Sequence, residues 1–363
     1  MPSHVAHLIF AEQVRNSLPN NLQPSITNES YHFFTLGAQG PDMFYHNRRR
    51  KPSGLEYGAR LHRHGYGTAS GAMARYMLEQ RCPNTNLAAY LFGFVTHVFL
   101  DRAIHPYINF FAGWFDPRRE ETLRWRGAHA YFERLIDVVI LRRFRNCGFE
   151  SYDFFSRVDV GEHIPTELVE LLAYGLKQAV PRASKDEKLH TRIEHAYLDA
   201  RGFYLYTNRT LEQYLAEEPQ HPPNMSPTEL RRSALLHPAQ PPAELDPANE
   251  SRRPWLHPCF SEPWYTSTLW ELLDNAVAAA LPATSFLASA LSEQHAETTH
   301  QIPDAVRTAT TLSELIGDMN LSDGQPGTRP CPKLFSEPLP LMEQLESYIN
   351  VVTNDPISNQ QAD

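Results

Sequence analysis

The sequence predicts an all-helical fold of several packed helices. Six segments read as helices, and the first spaces its apolar residues at roughly helical intervals; the six span residues 5–18, 67–80, 86–105, 126–146, 166–179 and 186–216. Pro106 and Gly148 are placed to end the third and fourth of these segments. No region shows the clear alternation of apolar and polar residues that predicts half-buried strands. A multi-helix bundle is therefore the expected architecture.

Proline content predicts how the chain is divided. Residues 1–216 are expected to form one helical domain, followed by a Pro-rich loop or linker over residues 217–258, which contains Pro222-Pro223 and Pro241-Pro242. A C-terminal helical extension is expected over 259–353, with helices at 261–291 and 339–352, and a disordered polar tail over 354–363. The tetrapeptide Phe-Ser-Glu-Pro occurs at 260–263 and 335–338, and we interpret it as a repeated helix start with Ser as the N-cap.

Charge and cysteine usage exclude some function classes. The net charge of −9 argues against bulk attraction to nucleic acid or to an anionic membrane. We expect no apolar run long enough for stable membrane insertion, and the N-terminus lacks the pattern of a secretory signal, so a cytoplasmic location is expected. The four cysteines are widely spaced without a CxxC pair, which argues against a disulfide framework and against a cysteine-based zinc site.

The strongest chemical signal is a stripe of ionisable residues on an apolar helix. His97, Asp101 and His105 stand at i, i+4 and i+8, so on a helix they lie along one narrow strip. Burying three such groups among apolar residues is costly unless something pairs them. A divalent metal ion would pair all three.

A second stripe repeats this spacing with His129, Glu133 and Asp137. Imidazole and carboxylate ligands without thiolate favour a catalytic zinc site built between two facing helices. A single buried histidine is more often an ordinary core residue, but two such stripes within forty residues favour metal binding. Asp137 is open to two interpretations: it orients a ligand histidine, or it is an exposed partner of Arg134 or Arg142.

Further candidate ligands lie upstream. His4 and His7 flank the start of the first helix, and Asp42 follows a Gly- and Pro-containing turn that is also compatible with an ordinary turn. His62 and His64 point in different directions in any regular structure, so at most one is expected to be a ligand. The basic residues 48–51 could receive an anionic substrate or could be a solvated loop.

In order and spacing, these residues resemble the zinc-dependent phospholipase C family, an all-helical fold shared with the fungal single-strand nucleases. Three motifs resemble its bacterial intracellular phospholipase C/D-like branch: Met-Pro-Ser-His-x-x-His at the start, Gly-x-Gln-Gly-Pro-Asp at 37–42 and Asp-x-x-x-His-Pro at 101–106. The resemblance covers about residues 1–215 and implies two or three zinc ions. It implies the metal ligands His7, Asp42, His62, His97, Asp101, His105, His129 and Glu133. The secreted members use a processed N-terminal Trp as a ligand, whereas this chain begins Met1-Pro2.

The function that the resemblance implies is hydrolysis of a phosphate ester, with phospholipids among the candidate substrates. Zinc would activate water as the nucleophile, and Asp42 and Asp101 would be the catalytic carboxylates. A nuclease or nucleotidase of the same fold is an alternative, since Trp114, Phe115 and Trp125 could stack bases, but nucleic acid is not the favoured substrate. A third interpretation is a metal-binding interaction protein without catalysis.

Overall fold

The computed structural model describes residues 4–80, 84–217, 226–295, 304–327, 331 and 335–354. These residues are predominantly helical, which confirms the predicted all-helical fold. The α-helices in chain order are α1 His4–Ser17, α2 Asn28–Ala38, α3 Asp42–Tyr45, α4 Leu55–Leu61, α5 Tyr66–Gln80, α6 Thr85–Ala112, α7 Ala128–Arg145, α8 Phe154–Val158, α9 Thr166–Ala179, α10 Leu189–Tyr206, α11 Leu211–Glu217, α12 Pro227–Ser233, α13 Leu269–His295, α14 Ala305–Ile316 and α15 Leu341–Asn354. Two short strands, β1 Trp255–Leu256 and β2 Trp264–Tyr265, pair antiparallel.

Helix α6 is the centre of the fold and contacts α1, α2, α7 and α13. Asn84 caps its start, because the Asn84 side chain accepts the backbone amides of Asn86 and Leu87. The prediction that this helix stops near Pro106 was wrong, since Pro106 lies inside it. The residues from Tyr107 to Ala112 are all buried, and their packing outweighs the roughly 3 kcal/mol that an internal proline costs.

Glycines allow α2 to approach α6 closely. A Cβ atom on Gly37 would lie 2.1 Å from the carbonyl oxygen of Tyr90, and one on Gly93 would lie 2.1 Å from that of Phe34. Real side chains cannot fit at such distances, so only glycine permits this backbone-to-backbone packing. The close approach brings the turn after α2 against the middle of α6.

The C-terminal helices pack against this domain: α14 lies on α5, and α13 lies on α6 and α1. The predicted helix start at Phe-Ser-Glu-Pro was wrong in both places. Residues 260–263 lead into β2, and α13 begins only at Leu269, after Thr268. The side chains of Thr268 and Glu271 each accept the backbone amide of the other residue and so cap this helix. Residues 335–338 precede α15 and are not helical. Proline disfavours a helical conformation in the residue before it, and the Thr268 and Glu271 capping pair marks the start of α13.

The described residues of the Pro-rich segment contain regular structure and core residues. It contains α12, β1 and the buried residues Leu236, His237 and Leu245, whereas Pro222-Pro223 lies outside the described residues. The predicted helix over 186–216 is two helices, α10 and α11, separated by a turn. Residues 355–363 of the predicted disordered tail also lie outside the described residues. The division into domain, linker and extension stays a prediction.

One disulfide joins Cys259 to Cys331, whose Cα atoms lie 5.7 Å apart. The wide spacing of the cysteines argued against a disulfide framework, and it gave no sign of this single pair because 72 residues separate the two cysteines in sequence. Cys147 is free and half-buried, and Cys82 lies outside the described residues. The cysteines consequently no longer support the cytoplasmic location, which stays a prediction.

By length and hydropathy alone, Thr85–Ala112 and Leu269–Ser292 could each cross a bilayer, contrary to the expectation from the sequence. In the first helix, 83% of the apolar window is buried inside the protein. A core helix passes the same test, so these lengths are weak evidence for a membrane span.

Candidate metal centre

Asp101 lies at the centre of a cluster of imidazole rings. Its Oδ1 atom is 3.2 Å from Nε2 of His7 and 3.8 Å from Nδ1 of His105, and its Oδ2 atom is 3.2 Å from Nε2 of His97 and 3.9 Å from Nε2 of His62. All five residues are buried. A single carboxylate thus faces ligands contributed by α1, α4 and α6.

Local structure explains how Asp42 and His97 meet. Gly40 adopts a φ of +55°, which favours glycine, and a Cβ atom there would lie 2.4 Å from Cγ of the His97 ring. The turn therefore passes directly over the ring, and Asp42 follows it at the start of α3. Nε2 of His62, at the end of α4, lies 2.8 Å from Oδ1 of Asp42.

Backbone carbonyls orient three of the imidazole rings. Nδ1 of His62 lies 2.8 Å from the carbonyl oxygen of Gly58, and Nδ1 of His97 lies 3.0 Å from that of Ala38. Nδ1 of His105 lies 3.2 Å from the carbonyl oxygen of Leu321. A carbonyl can only accept, so each Nδ1 carries the hydrogen, and each Nε2 presents a lone pair when the ring is neutral, as metal-binding histidines do.

A second group joins α6 to α7. Oε1 of Glu133 lies 2.8 Å from Nε2 of His129 and 3.7 Å from Nε2 of His105. Glu133 is fully buried and His129 is partly exposed. Burial by itself would raise the pKa of Glu133, but its charged surroundings, including His129, lower it, so the carboxylate is ionised.

These side chains fit a divalent cation. In the tautomer that Gly58 imposes, Nε2 of His62 and Oδ1 of Asp42 direct lone pairs at each other across 2.8 Å, and neither atom has a hydrogen-bond partner among the described residues. Nε2 of His7, Nε2 of His97 and both Asp101 oxygens are likewise buried without hydrogen-bond partners there. Facing acceptors repel unless a positive charge lies between them, and each orphaned group costs about 1–3 kcal/mol.

Among the described residues, three groups of histidines and carboxylates have all their ligand atoms within 4.8 Å of one another: His7, Asp42 and His97; His62, His97 and Asp101; and His105, His129 and Glu133. A fourth group, Cys259, Asp323 and Cys331, contains the two cysteines of the disulfide. The pKa shifts of His7 and Asp101 agree with ligation, whereas those of His97 and His105 favour protonation: burial would lower both pKa values, but Asp101 raises them. Burial lowers the pKa of His7, which keeps it neutral. Burial would raise the pKa of Asp101, but His105 and His97 hold it well below its usual range.

A family model described as zinc-dependent phospholipase C matches residues 6–221, more than half of the chain. The chain belongs to the zinc-dependent phospholipase C family. No curated protein and no solved structure matches the chain significantly. The predicted family is thereby confirmed, and the family together with the buried histidine and carboxylate groups supports zinc as the metal.

All eight predicted ligands of this zinc-dependent phospholipase C-like chain lie in the three groups, while the two alternative histidines lie elsewhere. The ring of His4 stacks on Phe154 at 5.3 Å and packs edge-on against Tyr204, so it is a core residue. His64 is exposed, and its Nδ1 atom bonds the carbonyl oxygen of Asp318. The ligand assignment itself stays a prediction.

Asp137 pairs with Arg134, as one of the two interpretations predicted, but the pair is buried and not exposed. It is fully buried, 2.8 Å from Nε2 of His237 and 3.2 Å from the guanidinium of Arg134. Its Oδ1 atom accepts the backbone amides of Val5 and Ala6. Asp137 therefore caps α1, the helix that carries His7.

A cavity of about 590 Å³ lies beside the predicted ligands. His62 of the Asp101 cluster lies on its wall, together with His105 and His129 of the group that joins α6 to α7. The wall also includes residues that sequence reasoning did not select: Tyr45, Arg63, Asn109, Asn320 and Ser322. Two of these positions were signals in the sequence: Arg63 lies beside His62, and Asn109 follows His105 by four residues and so continues the α6 stripe.

Of the basic residues 48–51, Arg48 lines the cavity. Asp199 instead binds Arg49 and Arg50: its Oδ2 atom accepts both backbone amides, and its Oδ1 atom lies 2.6 Å from the Arg50 guanidinium. The predicted aromatic residues Trp114, Phe115 and Trp125 also line the cavity. The site therefore combines metal ligands, two arginines and an aromatic wall.

Proposed function

We propose that this protein is a phosphodiesterase of phospholipase C type that hydrolyses a phosphate ester in the cavity beside Asp101. One observation carries the proposal: buried ligand groups for a divalent metal border a cavity that also contains Arg48 and Arg63. That combination suits an anionic substrate whose charge increases during attack on phosphorus.

His7, Asp42, His62, His97 and Asp101 would hold zinc on one side of the site, and His105, His129 and Glu133 on the other. Zinc, when bound, supplies a Lewis acid for phosphoryl oxygens and makes an adjacent water acidic enough to attack at neutral pH. The carboxylates Asp42 and Asp101 serve as the catalytic residues because each belongs to a ligand group, and Asp101 lies between α1 and α6 ligands.

The remaining chemistry comes from the cavity wall. Arg48 and Arg63 attract and orient the phosphate by charge. Burial raises the pKa of Tyr45, so its phenol stays protonated and can donate a hydrogen bond to a substrate oxygen. Trp114 and Trp125 provide apolar surface for the uncharged part of the ester.

A phospholipid is the favoured ester, because a net charge of −9 opposes binding of a polyanion such as nucleic acid. The aromatic wall could nevertheless stack a base, so the nuclease alternative is decided by substrate tests.

The proposal is tested by zinc analysis of the full-length protein with His97→Ala as control, followed by hydrolysis of bis(4-nitrophenyl) phosphate. We expect the wild type to retain more zinc than the variant, and its activity to be lost with chelator and restored with zinc. Single-stranded DNA, nucleotides, phosphatidylcholine and phosphatidylinositol then identify the ester. Zinc without hydrolysis of any of them would indicate a non-catalytic metal-binding protein, and equal zinc in both proteins would overturn the metal site.

A further inference from the structure

Residues 320–322, which the family model does not cover, pack against two of the predicted metal ligands, His62 and His105. The backbone amide of Leu321 donates to the carbonyl oxygen of His62 at 2.8 Å, and the carbonyl oxygen of Leu321 accepts Nδ1 of His105 at 3.2 Å. Residues beyond 221 are not covered by the family model, so this contact is a feature of the chain's own C-terminal region. Asn320 and Ser322, on either side of Leu321, line the cavity.

The side-chain amide of Asn320 is oriented by Ser322. Its Oδ1 atom accepts the backbone amide of Ser322 at 2.9 Å and the Ser322 hydroxyl at 2.7 Å. Because a backbone N–H can only donate, the amide cannot be flipped, and Nδ2 must be the other end. Nδ2 is buried and has no hydrogen-bond partner among the described residues.

In Asn109, on α6, the side-chain oxygen and not the nitrogen lacks a hydrogen-bond partner among the described residues. Its Nδ2 atom donates to the carbonyl oxygen of Ser322 at 3.1 Å, which again fixes the orientation of the amide. Its Oδ1 atom is buried and lacks a partner in the described part of the chain. Asn109 also lines the cavity.

Among the described residues, the Nδ2 donor of Asn320 and the Oδ1 acceptor of Asn109 thus have no hydrogen-bond partner. Both side chains hydrogen bond to Ser322 through their other atom, and both residues line the cavity. Each unpaired buried polar atom costs about 1–3 kcal/mol, so a ligand that pairs both gains binding energy. A hydroxyl group both donates and accepts, which matches the pair. A quaternary ammonium group can do neither, and a primary ammonium can only donate.

We propose that Asn109 and Asn320 determine substrate specificity by hydrogen bonding a hydroxylated headgroup, such as the glycerol or inositol of a phospholipid. This inference rests on the proposed phosphodiesterase function. It selects one substrate class, polyol phosphate esters, over choline and ethanolamine esters.

The test compares zinc-loaded full-length wild type with Asn109→Leu and Asn320→Leu. Asn275→Leu, the same substitution at an exposed position of α13, is the matched control. The readout is the ratio of kcat/KM for phosphatidylinositol to kcat/KM for phosphatidylcholine in mixed micelles. We expect the wild type to prefer phosphatidylinositol, each cavity variant to reduce that ratio about tenfold, and Asn275→Leu to leave it unchanged.

Binding gives a second readout that needs no turnover. Calorimetry with myo-inositol 1-phosphate and with phosphocholine should show tighter binding of the inositol ester by the wild type, and loss of that difference in the cavity variants. A wild type that prefers the choline compounds in both assays overturns the inference even if the variants fail to fold. Unchanged ratios in folded variants overturn it as well.

The two proposals fail in different ways. If zinc-dependent hydrolysis of bis(4-nitrophenyl) phosphate occurs without any headgroup preference, the inference is wrong and the proposed function stands. If no ester is hydrolysed, the proposed function is wrong, and the calorimetric comparison still decides whether the asparagines recognise hydroxyl groups.

Discussion

Oδ1 of Asp137 accepts the backbone amide of Ala6 at 2.8 Å, although 131 residues separate the two in sequence. It also accepts the amide of Val5 at 3.0 Å, so a carboxylate on α7 satisfies two of the amides at the start of α1. The helix carrying His129 and Glu133 therefore positions the helix carrying His7.

We expect Asp137→Ala to lower the free energy of unfolding by about 3–5 kcal/mol, because it leaves buried Arg134 and the α1 amides without this acceptor. Chemical denaturation and zinc analysis are the measurements. Asp137→Asn keeps an oxygen for the α1 amides but removes the charge, so it should retain more zinc than Asp137→Ala. Equal stability of Asp137→Ala and the wild type would contradict the capping role.

Gly40→Ala should displace the His97 ring, because the added Cβ atom would lie 2.4 Å from it and the φ of +55° is unfavourable for alanine. We expect lower zinc content and a destabilised protein. Gly202→Ala is the matched control: a Cβ atom on this α10 residue meets nothing within 4 Å, and alanine should stabilise the helix by about 0.5–1 kcal/mol. Normal zinc binding by Gly40→Ala would show that the ring is not held by this turn.

Acid should destabilise the protein partly through His46. Burial lowers the pKa of His46 from 6.5 to about 3, so the unfolded chain binds this proton at a higher pH than the folded chain. The contribution of His46 to stability is complete above pH 6.5 and is lost as the pH falls toward about 3.

His46→Phe tests this point, because phenylalanine can keep the ring stacking on Phe203. Unfolding free energies of both proteins should be measured in chelator from pH 7 to pH 4, so that the other histidines contribute equally. We expect the slope with pH to be smaller in the variant by up to about 1.4 kcal/mol per pH unit. Identical slopes would mean that His46 is not protonated on unfolding in this range.

Arg102 attaches the C-terminal segment to α6. Its guanidinium donates to the carbonyl oxygens of Ile316 at 2.5 Å and Gly317 at 2.9 Å, where α14 ends. We expect Arg102→Ala to lower the free energy of unfolding by about 1–3 kcal/mol and to speed hydrogen exchange of the Leu321 amide. Arg75→Ala, which removes an exposed pair with Glu79, should change neither quantity. Slow exchange at Leu321 in Arg102→Ala would show that other contacts hold the segment.

Local rules accounted for the helices and for the two ligand stripes. The pairs His97 with Asp101 and His129 with Glu133 are four residues apart, and helix geometry alone places such residues together. The resemblance to the zinc-dependent phospholipase C family supplied His7 over His4 and His62 over His64, and it supplied Asp42 as a ligand where the residues alone also allowed an ordinary turn.

Only the tertiary structure decided which distant residues support and complete the site. Asp137 and Ala6, Leu321 and His105, and Cys259 and Cys331 each meet across 72 residues or more, and no periodicity along the chain encodes such a contact. Packing likewise carried α6 through Pro106, because burial of the residues beyond it outweighed a local preference. Residue spacing thus predicted the two ligand stripes, while long-range packing decided how these side chains are held and which side chains line the cavity.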